Sequence, residues 1–288
     1  MLISIVIPTL DCAATVGRAV RSVLEQDAPV ELIVVDGGST DGTPEVVREL
    51  AGDRARLIVE PDGGYFEAVA KGLALATGEV TSWLGGDDFL MPHALSLVAR
   101  VFDTFPTVEW LSSTQPMALS PEGNLFACAP RPGFCRQAFL DGAYGPSSSP
   151  VFVGAIQQEG TFWRASLWRR AGARFDPACR RAVDFELWGR FFALAELHAV
   201  PAALAAFCQR DGQLSGDARY GAEVEAVLAR HRAEANWVET PSSRNGMRAY
   251  EGRFVTFDPS LVGAPFVIID EQGPSAGLKA MIRMGVIA

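Results

Sequence analysis

Apolar and polar positions divide the chain into short runs that alternate in kind. Residues 2–7, LISIVI, form a β-branched apolar run stopped by Pro8, as expected of a strand buried on both faces. Between 13 and 26 the apolar positions recur at helical spacing, with Val16, Val20, Val23 and Leu24 on one face. Residues 32–35, LIVV, repeat the buried-strand signal, and a helix is predicted over 44–50. A strand at 56–59, a helix over 65–76, a fourth strand at 79–84 and a helix over 92–102 follow. Four strand–helix alternations call for an α/β fold with a doubly wound, mostly parallel sheet and flanking helices.

The pattern then changes. A strand is predicted at 108–113, a hairpin over 115–126 turning at 121–124, and a loop-rich stretch over 126–149. Helical patterning returns at 166–171 and at 183–194 (VDFELWGRFFAL), and 199–207 reads as one more strand. From 219 the composition shifts to an amphipathic helix over 220–235 and strand-like pieces over 254–270. Mixed charges at Glu223, Glu225, Arg230, Arg232 and Glu234 predict a solvated outer face for that helix. The chain is therefore divided into a main domain, 1–218, with halves 1–104 and 105–218, and a C-terminal α/β appendage, 219–288.

Composition narrows the class. With 288 residues, 49% hydrophobic and 20% charged, there is ample material for a globular core. A net charge of -9 and a pI of about 4.9 leave no basic stripe, which excludes nucleic acid as the main partner. Five scattered cysteines without a CxxC read as small apolar fillers in a reducing compartment. The three histidines are too far apart for a zinc site, and no apolar run reaches the ~18 residues of a membrane span. The opening MLISIVIPTLDC lacks a basic region and enters a strand at once, so a cytoplasmic protein without a signal peptide is expected.

The chemistry centres on residues 31–47, ELIVVDGGSTDGTPEVV. A buried strand ends in Asp36-Gly37-Gly38, Thr43 stands where an N-cap belongs, and Pro44 suits the first helical position. This describes the carboxyl edge of an open sheet, where ligands bind. An acid there repels phosphate, so Asp36 faces a neutral donor such as a base N–H or a ribose hydroxyl, unless it only organises its own turn. Asp87 and Asp88 end another strand on the same edge. Adjacent carboxylates suit Mg²⁺ or Mn²⁺, or else they shape the turn before Pro92. Asp184, with Glu186 two residues on, opens a helix. It can take a proton from a hydroxyl held within ~3 Å or complement the helix dipole.

The segments SIVIPTLDCAATVGRAVRSVLEQ, ELIVVDGGSTDGT, EPDGGYFEAVAKGLALATGEV and WLGGDDFLMP, in this order, resemble family 2 inverting glycosyltransferases of the GT-A fold. QQEGTFWRASLWRRAG and DFELWGRFF look like the second half of the same domain, so the resemblance covers residues 2–215. It implies that 1–104 binds a nucleotide-sugar donor and 105–218 the acceptor. Pro8, Thr9, Asp36, Asp62, Lys71 and Asp87 would contact the nucleotide, and Asp87 and Asp88 would hold Mn²⁺ or Mg²⁺. Gln157, Gln158 and Trp163 would meet the acceptor, and Asp184 would be the catalytic base. The reaction implied is a single displacement that moves a sugar, from a UDP-sugar first, to a glycan, polysaccharide or lipid-linked acceptor with inversion. The alternative is a non-catalytic nucleotide-sugar-binding or scaffolding protein. A homodimer, or a peripheral contact with an assembly on the inner face of the membrane, completes the expected partners. The chain departs from the family pattern at Gly85, at Val69-Ala70, at Val183, and at Arg210 or Asp211 where relatives carry a histidine.

Overall fold

The computed structural model describes residues 1–120, 122–131, 133–210, 219–240 and, for the backbone alone, 253–254. In chain order the first half reads β1 (Ile3–Thr9), α1 (Ala13–Leu24), β2 (Val30–Asp36), α2 (Thr43–Ala51), β3 (Ala55–Val59), α3 (Tyr65–Leu75), β4 (Val80–Trp83), β5 (Phe89–Leu90) and α4 (Ala94–Thr104). The second reads β6 (Trp110–Ser113), β7 (Met117–Leu119), β8 (Leu125–Ala127), α5 (Arg136–Asp141), β9 (Thr161–Arg164), α6 (Ala165–Arg170), α7 (Val183–Leu194), β10 (Leu197–Val200), β11 (Ala205–Cys208), α8 (Arg219–Glu234) and β12 (Arg253–Phe254). The larger sheet runs β12-β10-β6-β9-β4-β1-β2-β3, and a smaller one runs β5-β11-β7-β8. Strand β1 is parallel to β2 and β4, while β9 is inserted antiparallel between β4 and β6. The large sheet is thus mostly parallel, and helices flank it.

The expected alternation is borne out, with instructive differences. Pro8 does not stop β1; it pairs in register with Val35, and the strand continues to Thr9. The Val6 carbonyl accepts from the Leu84 amide on the β4 side. By the alternation of a strand, Pro8 points the same way. Pairing with β4 has ended at Val6 and Trp83, so the amide that proline lacks is not needed. Thr43 is not an N-cap: Gly42 holds that place at φ 92°, and the Thr43 hydroxyl accepts from the Cys12 amide and donates to Asp41. The stretch 199–207 is not one strand but two, β10 and β11, which enter different sheets. A short helix, α5, lies within the loop-rich segment.

Helix α8 is built into the core. Val224, Val227 and Leu228 join the buried cluster of Trp83, Trp110, Trp163 and Trp188. Glu225 and Glu234 face solvent as expected, whereas Arg230, exposed on one side, reaches in to donate to the buried Glu186 at 2.8 Å and to Asp176 at 2.7 Å. A Cβ at Gly189 of α7 would meet the His231 ring, so only glycine allows this helix pair its approach. The strand-like pieces expected over 254–270 lie outside the described residues except at 254. Among the described residues no helix is long and apolar enough to cross a membrane.

Candidate functional site

A cavity of about 580 Å³ opens at the carboxyl end of β4. Four acids line it, from three parts of the chain. Asp87 and Asp88 follow β4, Glu159 lies in the turn before β9, and Asp184 opens α7. Phe66, Met117, Ile156 and Phe207 supply apolar wall.

The turn after β4 shows why glycine precedes the acids. The Asp88 amide donates to the Gly85 carbonyl at 3.1 Å, and a Cβ at residue 85 would run into the Asp88 carboxylate. Asp88 then accepts from the Cys208 amide at 2.7 Å, which ties it to β11 of the smaller sheet. Asp87 takes an ion pair from Arg210, just past the end of β11. Arg18 of α1 closes the turn by donating to the Asp87 carbonyl at 2.7 Å.

Burial, with like charge added at Asp88 and Glu159, sets the protonation of the site. Burial pushes the Asp88 carboxyl well up, Glu159 and Asp87 push the same way, and the Cys208 amide opposes them. Burial raises Glu159 to about 7, with Asp184 and Asp87 adding to it. Burial also raises Asp184 to about 6, against the Phe185 amide that donates to it at 2.8 Å. A carboxyl poised there is mostly ionised at neutral pH and able to accept a proton.

The expected nucleotide residues fall into two groups. Pro8, Thr9 and Asp36 come together at the edge of the β1–β2 pair, outside the cavity lining. Asp36 is fully buried, and it accepts from the Thr9 hydroxyl, the Gly38 and Ser39 amides and the Ser39 hydroxyl. Its carboxylate therefore organises the glycine-rich loop from within. Asp62 reaches the same loop, because a Cβ at Gly37 would stand 3.1 Å from its Oδ2. Lys71 on α3 stands beside the segment that carries Asp62: it pairs with Glu60 at 3.1 Å and Glu67 at 3.6 Å and donates to the Pro61 carbonyl at 3.5 Å. Asp87 alone of the six lines the cavity.

On the acceptor side, Gln157 and Gln158 line the cavity. Their amides are fixed on the Met117 carbonyl at 2.8 Å and the Trp83 carbonyl at 2.6 Å. Trp163 must be corrected: it is 0% exposed, with ring centroids 5.4 Å from Trp83 and 5.9 Å from Trp188. It is a core residue that no acceptor reaches. Sequence reasoning missed Glu159, Arg131 and Tyr220, all of which line the cavity. Glu159 follows Gln158 directly in the QQEGTFW segment, so its signal was present. Arg131 and Tyr220 arrive from a loop and from α8, and only the tertiary fold brings them in.

Residues 4–114 match the family model described as Glycosyl transferase family 2. An uncharacterised glycosyltransferase of Nostoc sp. is 38% identical over 112 residues, covering 38% of this chain and 35% of that protein. The chain thus matches little more than a third of that relative's length. The solved structure of Staphylococcus aureus TarS 1–349 in complex with UDP-GlcNAc superposes with a TM-score of 0.63 at 18% identity, covering 83% of this chain and 68% of that one. The mannosyltransferase PcManGT of Pyrobaculum calidifontis, in complex with GDP-Man and Mn²⁺, gives a TM-score of 0.53 at 23% identity, covering 83% and 65%. These likenesses agree with the mixed sheet and its flanking helices. Over residues 4–114 the chain is thus similar to family 2 glycosyltransferases, and its described architecture is a GT-A-type fold.

Proposed function

We propose that the protein moves a sugar from a nucleoside-diphosphate sugar to a hydroxyl of a glycan, polysaccharide or lipid-linked acceptor, with inversion. The observation that carries this reading is that Asp184, raised to about 6, lines the same cavity as Asp87 and Asp88. Asp184 takes the acceptor hydroxyl's proton as that oxygen bonds to the anomeric carbon, and the bond from that carbon to the diphosphate breaks on the opposite face. Little is needed beyond positioning and charge stabilisation. A uridine diphosphate sugar is the first donor to test, because the neighbour with the higher TM-score was solved with UDP-GlcNAc.

A divalent cation fits this donor set. The described residues hold no cluster of three or more metal-ligating side chains. Mg²⁺ and Mn²⁺ are commonly held by one or two carboxylates together with substrate phosphates. Asp87 and Asp88 are hard oxygen donors in a site crowded with negative charge, and they would hold the ion. When bound, it would neutralise charge on the departing diphosphate. Arg210, already on Asp87, places a second positive charge at the same spot.

The Arg210–Asp87 pair also keeps open a non-catalytic reading, in which the domain binds nucleotide sugars without turnover. Thermal stabilisation by a panel of nucleoside diphosphates, with and without Mn²⁺, followed by assay of diphosphate release, separates the two. Asp184→Asn is expected to abolish release and leave donor binding intact. Loss of binding in that variant, or unchanged release, removes Asp184 as the base.

A further inference from the structure

Arg131 stands out among the groups that the proposed reaction does not use. It lines the cavity, yet its guanidinium makes no hydrogen bond or ion pair among the described residues, and its Nε is buried without a partner. Its place is well fixed. The Arg131 amide donates to the Thr114 carbonyl at 2.8 Å, and the Cys128 amide donates to the Pro116 carbonyl at 3.0 Å, clamping the segment after β8 onto the end of β6. The guanidinium lies flat against Gly154, where any Cβ would overlap it. Gly154 has φ +120°, so the backbone there excludes side chains and leaves the space to Arg131.

Gln157, which lines the same cavity, carries a second unpaired atom behind the surface. Its Nε2 is committed to the Met117 carbonyl, while its Oε1 is buried without a partner. Buried polar groups are nearly always satisfied, and an exception calls for an explanation. A guanidinium presents a planar fork matched to carboxylate or phosphate. Such a fork, unpaired at the cavity, asks for a ligand with an anionic group, which an anionic sugar carries. The four acids on β4, the β9 turn and α7 would repel such a group, so it belongs at the Arg131 wall.

We infer that the acceptor is an anionic glycan, a uronic-acid or a phosphate-bearing sugar, and that Arg131 holds its charged unit while a neighbouring hydroxyl faces Asp184. The inference rests on the glycosyl-transfer reading and names its acceptor class. Arg131 is a specificity residue in it, not a catalytic one.

The test is isothermal titration of the full chain, with uridine diphosphate and Mn²⁺ present, against methyl glucuronide, glucose 6-phosphate and methyl glucoside. The wild type is expected to bind one of the anionic compounds at least tenfold more tightly than the neutral one, and the preferred compound tells carboxylate from phosphate. Arg131→Gln should erase that preference, Arg131→Lys should keep part of it, and both should retain the wild-type melting temperature and nucleotide affinity. Equal or weaker binding of both anionic compounds, including no measurable binding of any of the three, overturns the inference. So does a preference that survives in Arg131→Gln. If neither uridine diphosphate nor any other nucleoside diphosphate of the panel binds, the glycosyl-transfer reading fails. The anion preference is then read in the same titration without nucleotide.

Discussion

Oε2 of Glu223 lies 3.0 Å from the amide nitrogen of Ala182, two residues before Asp184. The same oxygen accepts from the amides of Arg180 at 2.9 Å and Arg181 at 2.6 Å, and from the Cys179 thiol at 3.2 Å. One carboxylate oxygen on α8 therefore gathers the backbone turn that leads into α7. Burial works to raise the Glu223 carboxyl, but the Ala182 and Arg181 amides outweigh it and hold the group below its usual range.

Glu223→Gln should loosen that turn. Bonds from amides to a charged acceptor are worth about 1.5–3 kcal/mol each in net stability, and a neutral amide oxygen keeps part of this. The variant should lose about 2 kcal/mol in a denaturant titration and show a reduced kcat with donor KM unchanged. If kcat holds while stability falls, Glu223 has a structural role only.

The rate should depend on pH through the cavity acids. Asp184 sits near 6 and Glu159 near 7, so kcat/KM should rise with pH across that range and level off above it as the base loses its proton. Stability should run the other way. A carboxyl raised in the folded state keeps its proton while the unfolded chain has lost it, so stability falls as pH climbs from the usual carboxylate range to about 6. Asp184→Asn should therefore melt higher than the wild type at pH 8, with no such gain at pH 3.

Arg210 and a divalent cation compete for Asp87. Removing the arginine by Arg210→Ala should tighten direct Mn²⁺ binding in the presence of nucleoside diphosphate, whereas Asp87→Ala should weaken it. The arginine is 63% exposed, and such pairs are worth about 0.2–1 kcal/mol, so the gain should be at most about fivefold. Paramagnetic relaxation of water by free Mn²⁺ measures it. Unchanged affinity in Asp87→Ala would exclude that residue as a ligand.

Gly189→Ala tests how firmly α8 is seated. The added methyl would press on the buried His231 ring, and overpacking of this kind costs about 1–3 kcal/mol. Chemical denaturation should register that loss. A neutral result would mean that the two helices can part without penalty.

The first half of the fold was legible because its strands are continuous apolar runs and its helices keep a clean period, as in LIVV of β2 and the valines of α1. Asp87, Asp88 and Asp184 were legible because strand ends and helix starts are marked locally. What was not legible depends on distance in the chain. Pro8 looked like a stop because the end of β4 cannot be seen from β1. Trp163 was expected at the acceptor because nothing local says that Trp83 and Trp188 enclose it. Glu223 and Arg230 looked solvated because their partners lie 41 and 44 residues away. Arg131 gave no signal at all, since its meaning lies in an absent partner.

Gly85 has a consequence for engineering. It stands where the family motif commonly begins with an acid, and a designer restoring that acid would write Gly85→Asp. The space is already taken by the Asp88 carboxylate folding back over the turn. The new side chain would evict it and release β11 from its bond to Asp88. A substitution chosen to complete the motif would thus dismantle the half that is present, and a screen guided by family resemblance alone would record the site as intolerant without revealing why.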